Sequence, residues 1–76
     1  MNMSLTPTET QCLKWVAAGK TSYETGTIMD ISPRTVDYHI YNVCLKLGVH
    51  NRQAAVSMAH QLNLLPDIKK HLPELP

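Results

Sequence analysis

Apolar and polar residues alternate most clearly between Ser32 and Gly48, where an apolar side chain recurs every three or four positions, as on one side of an α-helix. Ser32 suits the N-cap, Pro33 the first helical position and Gly48 the C-terminal stop. The apolar side of this predicted helix comprises Val36, Ile40, Val43 and Leu47. The opposite side carries Arg34, Tyr38, Tyr41 and Leu45, with Asp37 and Asn42 on its flanks. We expect this outward face to bind a partner.

Two capping boxes predict two shorter helices before this one. In each, a threonine and a glutamate three residues later can bond each other's backbone N–H groups. Thr6 with Glu9 opens the first helix, and Gly19 ends it. Thr21 with Glu24 opens the second, which extends to about residue 29. The inner side of the first helix is expected to consist of Cys12, Leu13, Val16 and Ala17.

The second predicted helix has two weak helix formers at its centre, Thr25 and Gly26, and glycine costs about 1 kcal/mol relative to alanine there. Either tertiary packing holds this helix, or a close approach of the backbone requires the small residue. Ile28 and Met29 are expected to supply its apolar contacts. The connection to the next helix is so short that the two helices must cross steeply, as in a helix-turn-helix.

Asn51 suits an N-cap and predicts a fourth helix from about Arg52 to Leu62 or Asn63. The inner side of this helix is expected to consist of Ala55, Val56, Ala59 and Leu62. A second, flatter side could accept another copy of the chain or face solvent, and it consists of Ala54, Ser57, Met58 and Gln61. The four helices together predict an all-α fold, a four-helix bundle with a central helix-turn-helix.

The length of 76 residues predicts one small domain over residues 5–65, with a flexible N-terminus over 1–4 and a tail over 66–76. Such a domain has no room for an enclosed catalytic cavity. The sequence also contains no Gly-rich phosphate loop and no nucleophile elbow, so we expect neither an enzyme nor catalytic residues. Seven Lys and Arg against six Asp and Glu give a net charge of +1, which is weak for a nucleic-acid binder.

The cysteines and histidines lack the spacing of a metal site. Cys12 and Cys44 lie far apart within helical patterns, and we interpret them as buried free thiols. His39 and His50 have no Cys or carboxylate partner at ligand spacing, and we interpret them as packed or phosphate-facing side chains. We therefore predict no metal and no cofactor. No stretch is long and apolar enough to cross a membrane, which favours a soluble intracellular protein.

Several segments together resemble the DNA-binding domain of LuxR-type (LuxR/GerE) bacterial transcription regulators: LTPTETQCLKWVAAGKT from Leu5, the glutamate Glu24, ISPRTVDYHIYNVCLKLGV from Ile31 and NRQAAVSMA from Asn51. The likeness extends to about Leu65 and combines a helix-turn-helix with the KLGV turn and the NRxxA start of a fourth helix. The segment CLKWVAAGKTS is most similar to the quorum-sensing branch of the family, whose members respond to acyl-homoserine lactones. In that branch a larger ligand-binding domain precedes this module, so we expect no small-molecule ligand within these residues.

The resemblance implies roles for individual residues. The family places base contacts at the positions of Asp37, Tyr38 and Tyr41. It places phosphate contacts near the starts of the second and third helices and at Lys46. Arg34, in the first turn of the third helix, could bind a phosphate or a guanine edge. Further candidates for the DNA backbone are Lys20, Thr21, Ser22, Thr35 and Asn42, with Arg52 either in this set or in a structural role.

The sequence departs from the family pattern at several positions. Thr8 stands where the family usually has arginine, and the weak pair at the centre of the second helix replaces an Ile-Ala pair. Asp37 and Tyr41 occupy positions that Lys or Arg often holds. Asp37 could accept a hydrogen bond from the N4 amine of a cytosine. Alternatively, it could be solvated and pair with Arg34 or stabilise the first helical turn.

These features predict a transcription regulator, or its DNA-binding output domain, that binds duplex DNA sequence-specifically as a homodimer. Its third helix would enter the major groove, its fourth helix would form the dimer interface, and RNA polymerase is a candidate partner. The alternative is a protein-interaction module that dimerises with a full-length LuxR-type regulator and titrates it. Either protein would act in the bacterial cytoplasm, without a membrane partner.

Overall fold

The computed structural model of the protein describes residues 4–65, which form four α-helices and no strand. The helices are α1 (Pro7–Ala17), α2 (Ser22–Met29), α3 (Pro33–Leu47) and α4 (Arg52–Gln61). The prediction of an all-α fold with a central helix-turn-helix, formed by α2 and α3, is confirmed. Residues 1–3 of the predicted flexible N-terminus and the predicted tail over 66–76 lie outside the described residues. Within residues 4–65, no helix is long and apolar enough to cross a membrane.

Local sequence signals set the helix ends. The N-caps are the predicted residues Thr6, Thr21, Ser32 and Asn51. In both capping boxes the glutamate carboxylate also accepts the N–H of the cap residue, at 2.9 and 3.0 Å. Each cap satisfies a backbone N–H that the helix itself leaves without a partner, which typically stabilises by about 1 kcal/mol. Gly19 and Gly48 follow α1 and α3 with φ of +90° and +70°, a backbone conformation that favours glycine.

The central helix α3 contacts each of the other three helices. Its predicted apolar side is confirmed, since Val36 and Val43 are fully buried, Ile40 is buried, and Leu47 packs against them. The buried apolar core consists of Cys12, Leu13, Val36, Ile40, Val43, Ala55 and Ala59. Because one side of α3 fills this core, the opposite side is left to face outwards.

The turn between α2 and α3 explains the glycine at the centre of α2. A Cβ added to Gly26 would lie 2.5 Å from the carbonyl oxygen of Ile31, closer than such atoms can approach. The N–H of Ile31 donates to the carbonyl of Gly26 at 2.9 Å, and Asp30 between them adopts the left-handed conformation with φ of 59°. A close backbone approach therefore requires the small residue, which was one of the two explanations that the sequence allowed.

Two apolar residues are more exposed than predicted. Leu62 does not belong to the inner side of α4, because 54% of it is exposed. The helix ends one residue earlier, so Leu62 leaves the helical path, and Leu64 and Leu65 pack against the core. Ile28, on the short helix α2, is also exposed, by 47%, whereas Met29 packs against the core as predicted.

Both cysteines are free thiols, but the predicted burial is confirmed fully for Cys12 alone. Cys12 is buried, and its Sγ lies 3.7 Å from Sδ of Met29, whereas Cys44 is half-buried and packs against the core. Burial raises the pKa of both thiols, so they stay protonated near neutral pH. Among the residues from 4 to 65, no group of His, Cys, Asp or Glu side chains is placed to hold a metal ion.

Candidate nucleic-acid interface

The outward face of α3 is a line of four exposed side chains. Tyr38 and Tyr41 are each 62% exposed and Leu45 is 59% exposed, while Arg34 is exposed at the start of the helix. Their spacing along the chain places them on one side of α3, over a length of roughly 16 Å. We call Arg34, Tyr38, Tyr41 and Leu45 the α3 outer face. Its position opposite the buried side agrees with the sequence pattern.

The chemistry of the α3 outer face suits the edges of base pairs. An α-helix fits the major groove, where arginine can donate to guanine, and tyrosine can offer both a hydroxyl and an apolar ring. The ring of Tyr38 makes an edge contact with the ring of His39, with 5.6 Å between centroids. His39 is itself half-buried.

Asp37 is bonded to two other helices. Its Oδ1 accepts a hydrogen bond from the hydroxyl of Ser22, at the start of α2. The same oxygen accepts from Nη2 of Arg52, at the start of α4, over 3.0 Å, and Nη2 also donates to Oγ of Ser22 over 2.8 Å. Asp37 therefore pairs with Arg52 and not with Arg34, the partner that its place on α3 suggested. We call Ser22, Asp37 and Arg52 the three-helix cluster.

Among the other predicted DNA-backbone residues, Thr21 and Thr35 make local hydrogen bonds at the starts of α2 and α3. Lys20 and Thr21 are exposed, and the hydroxyl of Thr21 accepts the N–H of Glu24 at 3.0 Å as the cap of α2. The hydroxyl of Thr35 is hydrogen-bonded to that of the cap Ser32 at 2.9 Å. The remaining residue of this set, on the flank of α3, is half-buried Asn42.

Lys46 lies apart from these residues, at the far end of α3 and beside the start of α1. Its Nζ lies 2.6 Å from Oε1 of Glu9 and 3.4 Å from the carbonyl oxygen of Ser4. Burial alone would raise the pKa of Glu9, but hydrogen bonds from Lys46 and the N–H of Thr6, with the charge of Lys46, hold that pKa below its usual value. The ammonium group of Lys46 is therefore bound within the domain.

The predicted dimer face lies along one side of α4. Ala54 and Met58 are half-buried there, and Ser57 and Gln61 are exposed. The helix begins where the side chain of Asn51 accepts the N–H of Ala54 at 2.8 Å. The opposite side of α4 packs into the core, so this face is accessible in the single chain.

The profile of bacterial regulatory proteins of the luxR family (GerE) matches residues 3–59. The chain belongs to this family. Among luxR-family relatives, the transcriptional activator protein VanR of Vibrio anguillarum is 49% identical over 55 residues, which are 72% of this chain and 23% of VanR. The transcriptional activator protein SolR of Ralstonia solanacearum is 45% identical over 64 residues, which are 84% of this chain and 27% of SolR.

A third luxR-family relative is the HTH-type quorum sensing-dependent transcriptional regulator RpaR of Rhodopseudomonas palustris. It is 44% identical over 61 residues, which are 80% of this chain and 25% of RpaR. The chain thus spans about a quarter of the length of the curated relatives it matches. The solved structure of the transcription factor GerE superimposes with a TM-score of 0.78 at 27% identity, covering 87% of this chain and 97% of GerE.

Two residues gain importance from the structure of this luxR-family domain. The periodicity of α3 placed Leu45 on the outward side but gave it no role, although it continues the line of exposed side chains. Arg52 was a candidate for the DNA backbone or for a structural role, and its bonds to Ser22 and Asp37 give it structural contacts. Its position at the start of α4, beside a predicted turn, was the only local signal.

Proposed function

We propose that this chain binds duplex DNA with sequence selectivity and places α3 in the major groove. The observation that supports this proposal best is the α3 outer face, a line of exposed side chains on the second helix of a helix-turn-helix in a luxR-family domain. Such a helix fits the major groove, and the opposite side of α3 anchors it in the core. The chain would act in transcription regulation in the bacterial cytoplasm, with RNA polymerase as a further partner.

Within this proposal, the residues of α3 divide into base and backbone contacts. Tyr38 and Tyr41 would donate a hydroxyl to bases or phosphates and press their rings against thymine methyl groups. Arg34 would bind a guanine edge or a phosphate. The backbone contacts would come from Lys20, Thr21, Ser22, Thr35, Asn42 and Lys46, although the hydroxyls and the ammonium group that have protein partners must release them or share them.

Tyr41→Ala tests base reading. The substitution should weaken binding to the specific site by about 1–3 kcal/mol, because it removes a hydroxyl and an apolar ring from the groove. It should leave the melting temperature nearly unchanged, because Tyr41 is 62% exposed. Fluorescence anisotropy against specific and scrambled duplexes measures the effect, and Ile28→Ala, which removes an exposed apolar side chain from α2, is the control. An equal loss on both duplexes would limit Tyr41 to backbone contact.

We further propose that the chain binds DNA as a homodimer through Ala54, Ser57, Met58 and Gln61 of α4. Two-fold symmetry would then place the two copies of α3 about one helical turn of DNA apart.

Met58→Glu should prevent dimerisation without unfolding the domain, because it places a charge at the centre of a flat face. Gln53→Glu is the control: it adds the same charge at an exposed position elsewhere on α4 and should leave dimerisation unchanged. Sedimentation equilibrium measures the oligomeric state of both variants and of the unchanged chain. If the unchanged chain is a monomer even at high concentration, this dimer face is excluded.

A second candidate function is titration of a full-length regulator of the same family by dimerisation. It is favoured by the net charge of +1 and by the bonding of Lys46 and Arg52 to carboxylates, which engages two of the five Lys and Arg side chains within residues 4–65. Absence of any DNA binding at low salt, together with co-purification of a longer luxR-family protein, would support this function. Saturable and salt-sensitive binding to a selected sequence would exclude it as the main role.

A further inference from the structure

The hydrogen bonds of the three-helix cluster restrict what each of its members can offer to a ligand. The hydroxyl of Ser22 has one proton and donates it to Asp37, so in this arrangement it cannot also donate to a phosphate. The carboxylate of Asp37 can only accept hydrogen bonds. A guanidinium has five N–H donors, and the described bonds of Arg52 use the two on Nη2. Within residues 4–65, the three donors on Nη1 and Nε of Arg52 therefore stay available for another partner.

The surroundings of Arg52 indicate what that partner is. In a helix-turn-helix, the first helix crosses the DNA backbone and the second enters the groove. Arg52 is bonded to Ser22 at the start of α2 and to Asp37 on α3, so its guanidinium lies between the two elements that would flank the groove edge. The side chain of Arg52 is 37% exposed, so it is accessible from solvent. A phosphate at the groove edge is a ligand that suits such a group.

We propose that Arg52 is a phosphate contact of the DNA complex and that Asp37 is the positioning residue that holds its guanidinium, not a base contact. This inference rests on the proposed function. Asp37 and Ser22 fix one nitrogen of Arg52, and the rest of the guanidinium is presented to the DNA backbone. Arg52 thereby brings the start of α4 into the interface beside α2 and α3.

The pairing also explains why a carboxylate is tolerated on α3. An unpaired carboxylate beside the α3 outer face would repel phosphates. In the structure, the charge of Asp37 is balanced by that of Arg52 at 3.0 Å. The pair adds no net charge. However, Asp37 holds the guanidinium of Arg52 in a defined position before DNA binds, which reduces the side-chain entropy that Arg52 loses on binding.

The salt dependence of DNA binding tests the phosphate contact. Arg52→Gln should reduce the slope of log K against log salt by about 0.9 if one phosphate contact is lost. Raising the salt from 50 to 200 mM should then weaken DNA binding by a factor that is about 3.5-fold smaller in the variant than in the unchanged chain. The loss should be equal on specific and scrambled duplexes. Lys14→Gln, which removes the same charge from α1, where Lys14 lies 4.9 Å from the Trp15 ring centroid, is the control and should keep the slope. Thermal unfolding of each variant confirms that it is folded.

Backbone neutralisation tests the positioning role of Asp37. Replacing single phosphates of the duplex by neutral methylphosphonates should reveal one position per half-site where the unchanged chain binds severalfold more weakly. At this position Arg52→Gln should show no effect of neutralisation, and Asp37→Ala should show a smaller effect than the unchanged chain. The base preference of Asp37→Ala should be unchanged at every position. Arg52→Lys keeps the charge without the planar group, and it should retain the salt slope but lose part of the effect at this one phosphate.

The outcomes separate this inference from the proposed function. If the unchanged chain binds DNA but Arg52→Gln keeps its salt slope and its response to every neutralised phosphate, Arg52 is structural and the inference is overturned. A relaxed base preference of Asp37→Ala at one base pair would make Asp37 a base contact, which also overturns it. If the unchanged chain shows no salt-sensitive binding, the proposed function fails and this inference fails with it.

Discussion

Within residues 4–65, two ion pairs connect α3 to different helices, and their surroundings differ more than their chemistry. Glu9 and Lys46 join α1 to α3 over 2.6 Å, with side chains that are 6% and 29% exposed. Asp37 and Arg52 join α3 to α4 over 3.0 Å, with side chains that are 59% and 37% exposed. The first pair is largely withdrawn from water, whereas the second is screened by it. The same type of bond can therefore hold the fold at one end of α3 and orient a side chain at the other.

The difference follows from what remains when one partner is lost. Without Lys46, the carboxylate of Glu9 would be left buried without a cationic partner, and Thr6 would be the hydrogen-bond donor that remains to it among residues 4–65. An unpaired buried charge is strongly destabilising. Without Arg52, the carboxylate of Asp37 would be hydrated and would keep its bond to Ser22. Loss of the second pair should thus affect stability little, and its effect should appear in binding.

The largest expected effect is that of Lys46→Met, which keeps much of the side-chain volume but removes the charge. It should lower the free energy of unfolding by about 3 kcal/mol, because breaking a buried pair leaves an uncompensated charge. Urea unfolding followed by circular dichroism measures the change. The matched control is the double variant Glu9→Gln with Lys46→Met, which removes both charges and should recover more than half of the loss. A loss below 1 kcal/mol in Lys46→Met would mean that water screens this pair as well.

Acid should weaken the Glu9–Lys46 pair in a smaller but related way. The pKa of Glu9 is lowered in the folded chain relative to its ordinary value of 4.5. A lowered pKa gives stability that is present above about pH 4.5 and is lost as the pH falls through the folded-state pKa of Glu9. The free energy of unfolding should therefore fall on acidification from pH 5 to pH 3, and less steeply in Glu9→Gln. Parallel pH profiles for the two proteins would show that Glu9 titrates normally in the fold.

Thr25 offers a contrast to Glu9 within the buried part of the molecule. Both are buried polar residues, but the hydroxyl of Thr25 has no hydrogen-bond partner among the described residues. Leaving a buried hydroxyl without a partner typically costs about 1 kcal/mol or more. Thr25→Val should accordingly raise the free energy of unfolding by about 1 kcal/mol, measured by urea unfolding. Thr27→Val, at an exposed position of the same helix, is the control and should change stability less. A loss of stability in Thr25→Val would indicate that the hydroxyl has a partner in solution.

The parts of the fold that the sequence predicted are those that depend on neighbouring residues. N-caps and capping boxes join residues three positions apart, so Thr6 with Glu9 and Thr21 with Glu24 could be identified from spacing alone. The buried side of α3 likewise follows from its period. Leu62 was predicted to face inward, and this prediction is wrong. The orientation of Leu62 depends on where α4 ends, and the helix ends one residue earlier than predicted.

The parts that the sequence could not predict join residues that are distant along the chain. Glu9 was identified as a cap residue, but its second partner Lys46 lies 37 residues away. Nothing local distinguishes that lysine from one that is free to bind phosphate. Asp37 and Arg52 are 15 residues apart on different helices, and they meet only because α3 and α4 pack together. Period and spacing predict which face a side chain occupies, whereas packing decides which charge it meets.

The smallest expected effect concerns the stability contributed by the Asp37–Arg52 pair, and it is the sharpest test of the contrast between the two pairs. A double-mutant cycle of Asp37→Asn and Arg52→Gln should give a coupling energy of about 0.5 kcal/mol or less in urea unfolding, as exposed pairs do. The corresponding cycle of Glu9→Gln and Lys46→Met should give a coupling energy several times larger. Raising the salt concentration should reduce the first coupling further, because water and ions reach both side chains. A coupling above 1 kcal/mol for Asp37 and Arg52 would make this pair part of the folding core, and the loss of DNA binding in their variants could then no longer be separated from a loss of structure.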